Sequence, residues 1–259
     1  MTESSSSKTV VYIYNGPGVC SESVEHTAQT LKKILHTKYS IQNIGPKEVI
    51  QGLWVRDAAL FVLPGGADLS YVKELSPYGN DLLKKYVFEG GAFLGICAGS
   101  YYSGKNVDFA KDTDLEVLGE RKLIFFPDTV KGPLLKPYEY NSYSGACAAS
   151  IHTPILNSLN FLKVYYNGGG YFVNAQEYSD VNVIADYDVS DNQKPAAAIV
   201  QINYGKGKVI LSGVHWEYDP ALLDGNDTYL KPIIADLSEY EQKRILLGKH
   251  LVHMLDLEV

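Results

Sequence analysis

Apolar runs of the length of a β-strand alternate with amphipathic segments through the first part of the chain. TVVYIY, YSIQNIG, AALFVLPGG and AFLGICAGS are rich in apolar residues and end at turn residues, which predicts β-strands. Residues 21–36 and the segment NDLLKKYVFEGG carry apolar residues at helical spacing, which predicts crossover helices between those strands. Nearly continuous apolar strands that alternate with helices are typical of a parallel sheet covered on both faces.

The pattern changes between about residues 105 and 205, where short β-like runs separated by turns predict a more antiparallel region attached to the sheet. The segment KVILSGVHWEYDP then predicts an apolar strand that ends at His215, and SEYEQKRILLGKHLVHMLDL predicts a closing helix. We therefore predict an α/β fold with a mostly parallel sheet, flanking helices and additional antiparallel strands. One domain is expected over residues 9–259, after a flexible serine-rich tail at residues 1–8.

Composition and charge exclude several classes of function. Hydrophobic residues make up 46% of the chain and charged residues 20%, which is ordinary for a globular protein. The net charge of -7 is spread without a basic stripe, which argues against nucleic-acid binding. No apolar run reaches the length of a membrane span, and the start MTESSSSKTV lacks the features of a secretory signal. We expect a cytoplasmic protein without membrane contact.

Cysteine usage gives no sign of a disulfide framework or a metal site. Cys20, Cys97 and Cys147 are odd in number and lack the spacing of zinc ligands. Neither a metal nor an organic cofactor is predicted. Cys20 and Cys147 lie in loop-like or polar surroundings, and plain structural roles are expected for both.

The segment Gly95-Ile96-Cys97-Ala98-Gly99 is typical of a nucleophile on a tight turn between a strand and a helix. Such a turn lifts the side chain above the sheet, and small neighbours avoid clashes in the strained backbone. The N-terminus of the following helix favours a thiolate, the nucleophilic form of cysteine. The alternative is a buried structural cysteine in a glycine-rich turn.

Two further segments would complete such a site. In His215-Trp216-Glu217, residues two apart in extended chain face the same way, so Glu217 would orient His215 towards the thiol. Gly65 and Gly66 follow an apolar strand, and main-chain N–H groups there and at Ala98 would stabilise an oxyanion. Taken alone, the first segment could be a chance charge pair and the second a plain turn.

Taken in order, LPGGAD, GICAGSYY and VHWEYDP resemble the class I glutamine amidotransferase superfamily, which has a flavodoxin-like sheet and a Cys-His-Glu triad. YNGPG, PGGADLSYV, FFPDTVKGP, YYNGGGYFV and GKGKVILSGVHWE are similar to one branch, the amidotransferase-like domain at the amino end of fungal biotin–protein ligases. The resemblance covers roughly residues 9 to 220. It implies catalytic roles for Cys97, His215 and Glu217, and an oxyanion or substrate site at Gly65, Gly66, Ala98, Tyr101, Asn167 and Gly168.

The chain departs from the pattern of working glutamine amidotransferases at two positions. Tyr101 stands where those enzymes usually have Gln, and Trp216 stands where they usually have Pro. The resemblance therefore leaves open whether glutamine is the substrate. Nothing in the chain resembles the catalytic domain of biotin ligases, so we do not expect it to ligate biotin by itself.

Three functions remain open from the sequence. The first is a cysteine-dependent amidohydrolase or amidotransferase-like domain that acts on a small amide. The second is a catalytically silent module that binds a small molecule or regulates biotin metabolism, with a possible protein partner. The third is a peptidase of the related cysteine-elbow families, in which the acid residue often sits elsewhere.

A few other polar residues could approach the site. Asp68 and Glu139 are candidates to line it, and the alternative is that both are ordinary exposed carboxylates. His152 begins a strand-like segment and is a weaker candidate, and His26 on a predicted helix is expected to be solvated or at the core edge.

Overall fold

The computed structural model describes residues 8–191 and 194–259. These residues form a 13-stranded sheet in the order β2-β1-β3-β4-β13-β12-β10-β7-β5-β6, with β11, β8 and β9 branching from β12. The strands are β1 (Val10–Tyr14), β2 (Ser40–Ile44), β3 (Ala58–Leu63), β4 (Ala92–Ile96), β5 (Gly104–Phe109), β6 (Val117–Glu120), β7 (Phe126–Gly132), β8 (Cys147–His152), β9 (Phe161–Tyr166), β10 (Tyr171–Phe172), β11 (Val181–Asp191), β12 (Lys194–Tyr204) and β13 (Gly207–Ser212). The α-helices are α1 (Ser21–Ile34), α2 (Pro46–Gln51), α3 (Asp68–Leu75), α4 (Tyr78–Phe88), α5 (Ala98–Ser103), α6 (Lys231–Glu239) and α7 (Glu241–Met254).

The first half of the sheet is parallel, as the alternation of apolar runs and helices predicts. Strands β2, β1, β3, β4 and β13 pair in parallel. Successive side chains of a strand face opposite sides, and in β3 Leu60 and Val62 join the core layer that includes α1 and α7. Phe61 and Leu63 join the layer on the other face, which includes α4. The fold class inferred from the sequence is confirmed.

The second half is mostly antiparallel, which also agrees with the sequence pattern. Strand β12 pairs antiparallel with β13, β11 and β10, and β8 pairs antiparallel with β9. Strand β5 is an exception because it pairs in parallel with β7. Helices α2, α3 and α6 are additional to those that the sequence pattern predicts; they have six, eight and nine residues, too few to show a clear helical period.

The strand predicted to run to His215 ends earlier, and that prediction is wrong. Strand β13 ends at Ser212, and the chain leaves the sheet at Gly213. There the backbone passes so close to Gly170 that a Cβ on Gly213 would lie 1.8 Å from the Gly170 carbonyl oxygen. His215 then forms an isolated bridge with Tyr165, so it sits beside the sheet rather than at a strand end.

The predicted serine-rich tail lies outside the described residues except for Lys8, and the single domain over residues 9–259 stays a prediction. Within the described ranges, no helix is both long and apolar enough to cross a membrane. The cytoplasmic location likewise stays a prediction.

The end of β3 supports the backbone of α5. A Cβ on Gly99 would lie 2.0 Å from the carbonyl oxygen of Leu63, closer than real Cβ atoms come to any neighbour. Gly99 also donates its N–H to the carbonyl oxygen of Pro64 at 3.2 Å. A glycine at this position therefore lets the helix after Cys97 rest directly on the neighbouring strand.

We predict that Gly99→Ala lowers the free energy of unfolding by about 3 kcal/mol, because the methyl group forces α5 away from β3. Gly225→Ala is the matched control, since a Cβ there meets nothing within 4 Å, and its effect should stay within about 0.5 kcal/mol. Urea denaturation of both variants measures the difference. Equal unfolding midpoints for the two would contradict the packing described.

Candidate active site

Cys97 occupies a strained turn between β4 and α5. Its backbone has φ 50° and ψ -105°, a conformation that costs a non-glycine residue on the order of 1–3 kcal/mol. Hydrogen bonds hold it there: its N–H donates to the Ser212 carbonyl at 2.8 Å, and its carbonyl accepts from the Ser100 hydroxyl at 2.7 Å. The thiol consequently lies at the carboxyl end of β4 and lines a cavity.

His215 connects the thiol to a buried carboxylate. Its Nδ1 lies 2.7 Å from Oε1 of Glu217, and the ring lines the same cavity as the Cys97 thiol. Its backbone N–H donates to the Tyr165 carbonyl at 2.9 Å. Burial by itself lowers the pKa of His215, but the charges of Glu217 and Cys97 and the hydrogen bonds to both raise that pKa well above its ordinary value.

Glu217 is fully buried, and neighbouring elements fix its backbone. The Thr30 hydroxyl in α1 donates to its carbonyl at 2.6 Å. Arg244 in α7 donates to that hydroxyl at 3.1 Å and to the Trp216 carbonyl at 3.0 Å. Oε2 of Glu217 has no hydrogen-bond partner within the part of the chain that the structure describes. His215 is therefore the group that compensates the charge of this carboxylate.

The two residues that depart from the amidotransferase pattern do not disturb this arrangement. The indole of Trp216 is buried on the α7 side, where it packs against Gly248. The ring of Tyr101 is also buried, and its hydroxyl donates to the Gly168 carbonyl at 3.2 Å. Neither ring separates the thiol from the imidazole.

Two main-chain N–H groups beside the thiol are available to a ligand. Those of Gly66 and Ala98 have no acceptor among residues 8–191 and 194–259. The N–H of Gly65, by contrast, donates to the Ser23 hydroxyl at 3.0 Å. Gly65 has another importance, because a Cβ there would lie 2.8 Å from Cε1 of His215; its lack of a side chain makes room for the imidazole.

The loop after β9 forms the opposite wall. The carbonyl oxygen of Asn167 lies 3.9 Å from Sγ of Cys97, and the Asn167 amide donates to the Ser142 carbonyl at 3.1 Å. Gly168 has a left-handed backbone with φ 77°, and a Cβ there would meet the ring of Tyr138 at 2.5 Å. Asn167 and Gly168 therefore lie where the sequence places them, at the cavity wall.

These groups open into a cavity of about 490 Å³ with strongly aromatic walls. The aromatic side chains that line it are Tyr101, Phe109, Tyr138, Tyr140, Tyr143, Tyr165 and Tyr218. Twenty tyrosines in the chain are the compositional signal of this wall, but composition does not say which of them share a pocket.

A stack of rings supports His215 from the side. Tyr218 lies between His26 and Tyr165, with ring centroids 4.0 and 4.3 Å away and planes nearly parallel. His215 meets both tyrosines edge-on. Burial lowers the pKa of His26 to about 4, and its Nδ1 accepts the N–H of Asp219 at 2.9 Å. His26 is therefore a neutral, buried residue, not the solvated or core-edge histidine expected.

The structure places some polar residues in the cavity wall and others away from it. Cys20 and Glu22 line the cavity, although no sequence pattern indicates a place there for either. Asp68 lines the cavity, whereas Glu139 does not. His152 is exposed and 3.3 Å from Asp188, so it does not approach the site. Both missed residues lie at the start of α1, Cys20 directly before it and Glu22 in its first turn, and neither belongs to a recognisable motif.

Within the described ranges, no group of three or more His, Cys, Asp or Glu side chains could hold a metal ion. The expectation that no metal or organic cofactor is needed stays a prediction.

A mostly parallel sheet with a cysteine elbow at the end of β4 defines a class I glutamine amidotransferase-like fold. A solved structure with a similar fold is a ThuA-like protein from Bacteroides uniformis, with a TM-score of 0.52. The match covers 88% of this chain and 89% of that chain at 11% identity, so it concerns the fold alone.

The chain belongs to the family described as biotin-protein ligase, N terminal, which matches residues 9–259. It is 35% identical over 254 residues to the biotin–protein ligase of Schizosaccharomyces pombe. The aligned region covers 96% of this chain and only 38% of that protein. It is also 34% identical over 257 residues to an uncharacterized protein of Chlamydia muridarum, covering 95% of this chain and 98% of that protein. The family inferred from the motifs is confirmed, and it extends past residue 220.

We predict that Glu217→Gln lowers the pKa of His215, because burial continues to disfavour the imidazolium once the carboxylate charge is lost. In the native protein the imidazolium should persist above the ordinary histidine pKa of about 6.5. NMR titration of the ring nitrogens measures both values. Glu139→Gln, at an exposed carboxylate, should leave the titration of His215 unchanged; a native pKa near the ordinary value would contradict the pairing.

Proposed function

We propose that the chain is a cysteine-dependent amidohydrolase or amidotransferase-like domain that acts on a small-molecule amide. The observation that carries this proposal is the position of His215, which is hydrogen-bonded to the buried Glu217 and lines the same cavity as the Cys97 thiol. A nucleophile next to a base that a third group orients is the arrangement that activates a thiol.

The proposed reaction uses these groups in two stages. The sulfur of Cys97 attacks the amide carbon, and the resulting oxyanion accepts hydrogen bonds from the N–H groups of Gly66 and Ala98. The carbon–nitrogen bond then breaks while the His215 imidazolium donates its proton to the leaving amine. A water molecule, deprotonated by His215, hydrolyses the thioester and restores the thiolate. Glu217 holds His215 in one tautomer and orientation throughout.

A catalytically silent module that binds a small molecule or regulates biotin metabolism is the second candidate. The Tyr101 hydroxyl is bonded to the Gly168 carbonyl, so the side chain in the usual Gln place offers no amide to a substrate. The relation to a biotin–protein ligase over 38% of that protein's length supports a protein partner that carries the biotin chemistry. The peptidase alternative loses support, because Glu217 already occupies the acid position beside His215.

We predict that the protein releases ammonia from one or more primary amides, and that Cys97→Ala abolishes this release. His215→Ala should lower the rate by about 10²–10⁴-fold, the usual contribution of a general acid–base. Cys147→Ala is the matched control, because Cys147 lies outside the cavity, and it should retain activity. An enzyme-coupled ammonia assay on glutamine and a panel of short amides makes the measurement.

Two results would change the assignment. Activity that survives in Cys97→Ala would contradict the nucleophile. Saturable binding of an amide in the wild type without any ammonia release would favour the binding or regulatory module.

A further inference from the structure

We infer that the cavity selects amides that carry a positively charged group, and that Glu22 is the carboxylate that pairs with this group. The inference deepens the proposed function and rests on it, since it names the substrate class of the same site.

The charges of the cavity wall are unbalanced. Among the described lining residues, the side chains that carry charge are Glu22, Asp68 and His215, and neither Lys nor Arg is present. His215 is committed to Glu217 and the thiol. An anionic ligand would thus enter a wall whose remaining charges are both negative, without a cation to receive it.

The two carboxylates differ in what already neutralises them. Asp68 is paired with Arg121, whose Nε lies 2.7 Å away. Glu22 accepts a hydrogen bond from the neutral Tyr143 hydroxyl at 3.0 Å, and no lysine or arginine in the described ranges forms an ion pair with it. Glu22 is the carboxylate whose charge a ligand cation would balance.

The surroundings of Glu22 favour such a partner. The carboxylate is about half buried, and this burial raises its pKa in spite of the Tyr143 hydrogen bond and the charge of His215. A desolvated carboxylate gains from a cation at hydrogen-bond distance, because the cation replaces the stabilisation that water no longer provides.

Glu22 also stands close to the reacting centre. It is in the first turn of α1, directly before Ser23, whose hydroxyl accepts the Gly65 N–H. Gly65 in turn packs on the His215 ring. A cation bound by Glu22 would therefore lie in the same cavity as the reacting groups Cys97 and His215.

The aromatic walls add to the same preference. Tyr138, Tyr140 and Tyr143 line the cavity, whereas the faces of Tyr218 are covered by its stack with His26 and Tyr165. The negative face of an aromatic ring attracts cations by about 0.5–2 kcal/mol and offers nothing comparable to an anion. The aromatic rings and the Glu22 carboxylate thus both favour a cationic ligand.

Three amides of matched length test the inference: 4-aminobutanamide, which is cationic, butanamide, which is neutral, and succinamate, which is anionic. We expect kcat/KM to fall in that order, with the cationic amide favoured over the neutral one by about tenfold or more. In Glu22→Gln, the ratio of cationic to neutral turnover should fall towards one. Glu48→Gln, at an exposed position of α2 outside the cavity wall, should keep the wild-type ratio.

Binding to the Cys97→Ala variant, measured by calorimetry with the same three amides, separates this inference from the proposed function. Absence of turnover in the wild type, together with preferred binding of 4-aminobutanamide, would remove the hydrolase proposal and leave the charge selectivity of the cavity standing. Turnover of all three amides at similar rates, or a preference for succinamate, would overturn the inference while the hydrolase proposal stands. Equal binding without turnover would remove both.

Discussion

The candidate site depends on one interaction, the hydrogen-bonded pair of Glu217 and His215. A fully buried carboxylate is costly unless a cation or several donors compensate it, and Glu217 has His215 at 2.7 Å as its compensating partner. The same contact raises the pKa of the imidazole, which lines the cavity together with the thiol. Thr30 and Arg244 fix the backbone around the pair, so helices α1 and α7 on one face of the sheet determine the geometry at the edge.

The strained turn at Cys97 positions the thiol on which this pair acts. The conformation with φ 50° is unfavourable, and it persists because the main chain around it is held by hydrogen bonds to β13 and α5. Close packing at Gly99 and Gly65 lets the helix and the imidazole approach the turn. The close packing that these glycines allow thus helps to maintain the strained backbone at Cys97.

Local patterns predicted the parallel half of the fold and the positions of Cys97, His215 and Glu217, because each of these signals lies within a few consecutive residues. What the patterns could not predict depends on distant contacts. The end of β13 at Ser212 follows from the crossing of Gly213 and Gly170, and the burial of His26 follows from its stack on Tyr218. Glu22 lies in the first turn of a predicted helix, but helical spacing alone does not reveal that this turn faces the cavity.

The rate of Cys97 alkylation by iodoacetamide as a function of pH, in the wild type and in His215→Ala, tests the central claim most directly. Cys20 and Cys147 serve as reference thiols in the same molecule, located by mass spectrometry of the labelled peptides. We expect Cys97 to react rapidly well below about pH 8, where ordinary thiols are mostly protonated. His215→Ala should reduce its alkylation rate to that of the reference thiols. Reaction of Cys97 at the pace of an ordinary thiol in both proteins would contradict this expectation.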